Sequence, residues 1–197
     1  MEFLATSETS EVCKGRVYPA DMVENMFYRF KSQKLRPDQI TIYYDMDNTL
    51  ARFSIWGKEP EALKQMHQKG YYRNLPPLDG GEIVIPVLQR LGFNVKILSA
   101  CIDSKFCREE KLEWVKEYFP TIKRKDILLC NVGQDKSQFV EHISRSILVD
   151  DYWKNLLNWM AAGGFAIKKS YSGKKRNIPT IRHHSEILLI LKQLEII

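Results

Sequence analysis

Ile40-Thr41-Ile42-Tyr43-Tyr44-Asp45-Met46-Asp47-Asn48-Thr49-Leu50 changes character halfway along. Its first half is β-branched and aromatic, the composition of a buried strand. Its second half sets two carboxylates, Asp45 and Asp47, where that strand runs out. Residues two apart on a strand share a face, so a tight turn here aims both side chains at one cavity. In an open α/β sheet, ligands bind beyond the carboxyl ends of the strands. A carboxylate is ionised at neutral pH without a helper base, and Asp can act as a nucleophile through an aspartyl-phosphate. Two neighbouring carboxylates repel unless a cation lies between them, and Mg2+ favours oxygen ligands. A surface turn rich in Asp and Asn has the same local composition. The weight of the stretch therefore comes from what surrounds it.

Upstream, residues 1 to 18 are polar and irregular and read as a tail. Pro19 to Lys34 reads as a helix, with Met22, Met26, Phe27 and Phe30 at helical spacing and Pro37 beyond its end. Downstream, Arg52 to Pro77 breaks the alternation of elements. It holds Phe53, Trp56, Tyr71 and Tyr72 among charged residues, and Gly57 and Pro60 mark turns or the start of a short helix over Pro60 to Gln68. This segment reads as a small insertion above the site.

Beyond Gly80-Gly81 the pattern becomes periodic. Helices are expected over Glu82 to Leu91 (closed by Gly92), Ser104 to Phe119 (capped by Asp103 or Ser104), Ser137 to Ile143, Trp153 to Ala162 and Ser185 to Leu194. Strands are expected at Ile40 to Tyr44, Val95 to Ser99, Ile127 to Cys130, Ser146 to Val149 and Phe165 to Lys168. Strands alternating with helices imply an α/β fold with a parallel sheet.

Composition bounds the partners. A chain of 197 residues with 44% hydrophobic and 27% charged residues suits one globular domain. No apolar run approaches the ~20 residues that span a bilayer, and the N-terminus lacks the pattern of a secretory signal. The four cysteines, Cys13, Cys101, Cys107 and Cys130, are scattered without a C-x-x-C pair, which fits reduced thiols in a cytoplasmic protein. A net charge of +6 suits an anionic substrate. The cluster of Lys168, Lys169, Lys174, Lys175 and Arg176 reads as a solvated loop rather than a nucleic-acid contact, because no aromatic residues interleave with it in the manner of single-strand binders.

The strand ends and their loops carry, in order, Asp45 and Asp47, then Ser99, then Lys136, then Asp150 and Asp151. A nucleophilic carboxylate, a hydroxyl, an ammonium and a second acidic pair suit phosphoryl transfer, where catalysis is mostly positioning and charge stabilisation. Asp150-Asp151 could instead cap the following helix, and any loop can carry an exposed lysine. Asn155, four residues after Asp151, is placed to hydrogen-bond the acidic loop.

These four motifs, in this order, resemble those of the haloacid dehalogenase (HAD) superfamily of phosphohydrolases. Within it the chain looks most like the C-type 5'(3')-deoxyribonucleotidases, on the strength of DMDNTLARF (Asp45 to Phe53), YRNLPPLDGG (Tyr72 to Gly81), DKS (Asp135 to Ser137), ILVDD (Ile147 to Asp151) and IPTIRH (Ile178 to His183). The resemblance implies a HAD-like Rossmannoid three-layer sandwich over residues 37–197, with a short cap insertion at about 53–78, after an N-terminal tail and helix (1–36). It implies a Mg2+-dependent phosphatase acting on a nucleoside monophosphate. Asp45 would be the nucleophile and Asp47 the acid and base. Ser99, Lys136 and backbone N–H groups near Met46 and Ala100 would hold the phosphate. Asp45, the Asp47 carbonyl, Asp150 and Asp151 would hold the metal, and Phe53, with Asp47, would contact the substrate.

The chain departs from that family in Asn48-Thr49, where Gly-Val is common, in Arg52, where an acidic residue is familiar, and in an insertion of only about 25 residues. Other small phosphate esters or a polynucleotide end remain as alternative substrates, and a non-catalytic binding protein on the same fold as an alternative class. The expected partners are a small phosphorylated substrate and, as an option, a second copy of the chain. Neither a membrane nor nucleic acid is expected.

Overall fold

A computed structural model describes residues 18–53, 60–78, 80–171 and 177–197. The tail before Tyr18, Trp56, Gly57 and the basic residues Lys174, Lys175 and Arg176 lie outside the described residues, as does Cys13.

Six parallel strands form one sheet: β1 (Thr41–Tyr44), β2 (Asn94–Cys101), β3 (Ile127–Asn131), β4 (Ser146–Asp150), β5 (Phe165–Lys169) and β6 (Thr180–Ile181). Their order is β3-β2-β1-β4-β5-β6. The chain leaves β1 in one direction and returns on its other side, so the topological switch falls between β1 and β4, where α/β sheets bind ligands. In register, Tyr44 pairs with Ile97 of β2 and Val149 of β4. The residue after Tyr44 therefore lies level with Leu98 of β2, next to Ser99, and with Asp150 at the end of β4.

The helices flank this sheet: α1 (Ala20–Ser32), α2 (Glu61–Gln65), α3 (Gly81–Arg90), α4 (Cys107–Tyr118), α5 (Trp153–Ala161) and α6 (Ile187–Gln193). Cover on both faces explains why β4 and β5 are buried at every residue. The stripe of α1 reaches the sheet as Val23, Met26 and Phe30. Phe30 and Phe27 pack their rings on Phe165 at 5.1 and 5.2 Å. That helix is thus part of the layer over β5, with α5 beside it.

The structure departs from the sequence reading in four places. A sixth strand, Thr180–Ile181, pairs with β5 through only two residues, too few to show alternation. The expected helix over 137–143 is instead two 3-10 turns, Lys136–Phe139 and Ile143–Arg145. Asp135 caps the first turn by accepting from the Ser137 amide (3.0 Å), and Val140 then adopts extended backbone, so no α-helix propagates. Ser104 does not cap α4. It accepts from the Phe106 amide (3.3 Å) in a turn, and the helix starts at Cys107. Finally, Lys168 and Lys169 do not belong to a solvated loop. They sit in β5, and both are buried.

Candidate active site

Past Tyr44 the chain folds into a tight turn around one carbonyl. Met46 O accepts the amides of Thr49, Leu50 and Ala51, at 3.2, 2.9 and 2.8 Å. Asn48 completes the turn at φ +52°, left-handed backbone that Gly adopts freely and Asn tolerates better than most residues. α3 starts close against the turn: a Cβ on Gly81 would come within 2.9 Å of Leu50 Cδ2 and 3.3 Å of the Phe119 ring, so a larger residue there would require both side chains to shift.

The turn presents Asp45 at the switch point, where its backbone amide bonds Val149 O of β4 (2.9 Å). Its carboxylate accepts from Lys136 Nζ at 2.6 Å, and the same ammonium reaches Asp150 Oδ2 at 2.7 Å. All three residues are nearly excluded from water. Lys136 is thus no exposed loop lysine. Asp150 also accepts from the Tyr152 amide (2.7 Å) and from Asn155 Nδ2 (2.9 Å). Asp150 does not cap α5, since the amide it accepts belongs to Tyr152, the residue before the helix, while Asn155 does meet the acidic loop.

Carboxylate oxygens of Asp45, Asp150 and Asp151 lie within 4.8 Å of one another. Burial, and then the charges of Asp150 and Asp47, outweigh Lys136 and push the Asp45 pKa up to about 6. Burial, Asp150 and Asp45 likewise push Asp151 well above the usual carboxylate range. Burial works against the Lys136 ammonium, but Asp150 and Asp45 more than offset it, so its pKa is raised.

Asp47 faces another way. Its Oδ2 accepts from Lys111 Nζ at 2.6 Å, while its Oδ1 is buried with no hydrogen-bond partner among the described residues. Lys111 is fully buried, and it also donates to Ser99 Oγ (3.0 Å) and to the Ala100 carbonyl (2.7 Å). Ser99 and Ala100 therefore meet Asp47 through one ammonium. Sequence reasoning missed Lys111. A signal existed: Cys107, Lys111, Trp114 and Val115 are spaced as one helical stripe, and a lysine in an otherwise apolar stripe needs a buried partner.

Phe53 is half-buried beside the turn and packs on Tyr71 (5.8 Å, edge-on) and Tyr72 (6.3 Å, stacked). The Tyr72 ring lies 5.2 Å from Lys111 Nζ. The insertion thus brings its aromatic residues to the Asp47 side of the site.

The donor set fits a divalent metal. Asp45, Asp150 and Asp151 offer three clustered carboxylates, two of them bonded by the Lys136 ammonium, while the charge of buried Lys168 acts on Asp151. An all-oxygen cluster of this kind suits Mg2+. Elsewhere, Cys101, Cys107 and Cys130 are buried free thiols, and His184 is buried against Tyr44.

Known structures share this fold. A haloacid dehalogenase-like hydrolase from Xanthomonas campestris matches with a TM-score of 0.54 at 12% identity, over 79% of this chain and 91% of its own. A HAD hydrolase of family IA, variant 3, from Entamoeba histolytica matches with a TM-score of 0.56 at 12% identity, over 79% and 99%. A HAD family hydrolase from Deinococcus radiodurans, solved with bound phosphate and sodium, matches with a TM-score of 0.55 at 12% identity, over 83% and 99%. No curated protein sequence matches. These likenesses show a HAD-type fold. More narrowly, residues 11–189 match the family described as 5' nucleotidase, deoxy (pyrimidine), cytosolic type C. The chain belongs to that family, and with it to the phosphatases.

Proposed function

We propose that the protein is a Mg2+-dependent phosphomonoester hydrolase that works through an aspartyl-phosphate and takes nucleoside monophosphates, 5' or 3', as substrates. The observation that carries this reading is the Asp45 carboxylate, held at the switch point by Lys136 beside Asp150 and Asp151.

An Asp45 oxygen attacks phosphorus, and the bond to the ester oxygen breaks. Asp47 gives its proton to that leaving oxygen from the Oδ1 that Lys111 leaves free. Asp47 then takes a proton from water, which attacks the aspartyl-phosphate, releases phosphate and restores Asp45. Lys136, Lys111, Ser99 and amides near Met46 and Ala100 hold the phosphoryl oxygens. Asp45, the Asp47 carbonyl, Asp150 and Asp151 would hold Mg2+, whose chemistry is to neutralise charge on the phosphoryl group.

Phe53 and its tyrosine neighbours offer an aromatic surface beside Asp47, and it suits a nucleobase better than a sugar phosphate. We place the enzyme in the cytosol, in keeping with its family's description. Among the described residues no helix is long and apolar enough to cross a membrane.

The test is phosphate release from 5'- and 3'-(deoxy)nucleoside monophosphates, sugar phosphates and an aryl phosphate, with Mg2+ and with EDTA. Metal-dependent turnover favouring nucleotides is expected. Turnover of the aryl phosphate alone would keep the Asp45 chemistry and remove the nucleotide, and silence throughout would favour a binding protein on this fold.

A further inference from the structure

α4 serves two places at once. Lys111 enters the site, while Glu110, one residue earlier, enters the insertion and is 5% exposed. Its carboxylate accepts the backbone amides of Gly70 (2.5 Å), Tyr72 (3.0 Å) and Arg73 (3.4 Å). One turn further along, Trp114 Nε1 donates to the Leu75 carbonyl (2.7 Å). The stretch from Gly70 to Leu75 has turns but neither helix nor strand: the amides of Tyr71, Asn74 and Leu75 find backbone carbonyls, those of Gly70, Tyr72 and Arg73 bond Glu110 instead, and a buried amide without an acceptor is costly. One carboxylate supplies three of them with charge-assisted bonds.

These ties bracket the aromatic residues that face Asp47. Tyr72 is 1% exposed. Tyr71 packs edge-on against it at 5.0 Å and against Phe53 at 5.8 Å. Burial, and then the Asp47 charge, push the Tyr71 phenol up to about 12, which is a mark of how near the acid–base carboxylate lies. The wall therefore stands on the side where the leaving group departs.

We infer that Glu110 is a positioning residue for substrate specificity: by fixing the 70–75 backbone it holds the Phe53–Tyr71–Tyr72 wall against the leaving-group side, and so sets the site's preference for phosphate esters of ring-bearing alcohols. The inference rests on the phosphatase reading above. The phosphoryl chemistry itself stays with Asp45, Lys111 and Lys136.

The experiment compares the intact protein with its Glu110→Gln variant. Gln keeps the shape but offers one acceptor oxygen in place of two. Two readouts are taken: kinetics on a deoxynucleoside monophosphate and on an acyclic alkyl phosphate, and amide exchange at Gly70, Tyr72 and Arg73. The expected result is an about tenfold rise in KM for the nucleotide, with kcat/KM for the alkyl phosphate within about twofold. Exchange protection is lost at the amide or amides that face the new NH2 group, Gly70 on one side or Tyr72 and Arg73 on the other, and kept in α4. Equal losses on both substrates, or no loss on either, overturn the inference. Trp114→Phe, which releases the same segment at Leu75 and keeps a packed ring, is expected to shift the nucleotide KM in the same direction. If Glu110→Gln does not fold, that variant decides. Should the wild type hydrolyse neither substrate, the phosphatase reading fails, and exchange alone judges the positioning role: unchanged protection in Glu110→Gln overturns it.

Discussion

The floor and the roof of the site are built by opposite means. On the floor, Asp45 follows β1, Ser99 lies in β2, Lys136 opens the turn after β3 and Asp150 ends β4. Sheet register brings Asp45, Ser99 and Asp150 together and the turn after β3 carries Lys136 to them, where its bonds to Asp45 and to Asp150 are buried ion pairs. Among the described residues, the roof has one five-residue helix and meets the floor's backbone in one bridge, Ala51 to Pro77. Its placement comes from Glu110 and Trp114, with Glu110 bonding amides 37 to 40 positions back along the chain. A floor made this way is rigid because strands are. A roof made this way can be retuned without disturbing the chemistry.

The largest effect should come from the floor. Asp45→Asn keeps an oxygen for Lys136 but abolishes the nucleophile, and kcat is expected to fall on the order of a thousandfold or more on every substrate. Circular dichroism and the nucleotide KM should change little. A substrate-dependent loss would mean that floor and roof are not separable.

Lys111 is the one residue that belongs to both regions, and it sharpens the comparison. Lys111→Met retains the volume of a fully buried side chain but leaves Asp47 Oδ2 and Ser99 Oγ without their shared donor. Turnover is expected to drop about a hundredfold. Stability should fall by about 1–3 kcal/mol in urea titration, less than for a fully buried pair because 27% of the Asp47 side chain remains exposed. A loss confined to KM would move Lys111 from the chemistry to the roof.

The same division explains what the sequence made legible. Strand ends are easy to find: ITIYYD, VKILS and ILVDD each show an apolar run stopping at a polar group. Parallel pairing then places those groups together without further information. That logic predicted the fold and brought Asp45, Ser99, Lys136 and Asp150 to one end of the sheet. It failed where local context decides. Asp135 stopped a helix after Lys136, and the fifth strand, correctly expected from Phe165 to Lys168, ran one residue further and took Lys169 out of the basic loop. It could not reach the roof, because nothing near Gly70 or Tyr72 announces a partner in a helix that begins at Cys107. Glu110 in the sequence is one of several acidic residues in EEKLE, and only its burial sets it apart from Glu109 and Glu113.

The smallest expected effect tests that last distinction. Arg73 makes two contacts with α4, of different kinds. Its backbone amide bonds the buried Glu110, and its guanidinium pairs with Glu113 at 2.6 Å, with 52% and 43% of those side chains exposed. Exposed ion pairs gain little, since water screens them and two long side chains lose freedom. Arg73→Ala deletes the outer pair and leaves the amide in place. The melting temperature should move by only a degree or two, the size of an effect of about 0.5 kcal/mol in a chain of this length. The nucleotide KM should stay within about twofold, well short of the shift expected from Glu110→Gln. A tenfold rise in KM for Arg73→Ala would mean that the roof is held by its surface charges, and the contrast between a buried carboxylate that fixes backbone and an exposed one that does not would be lost.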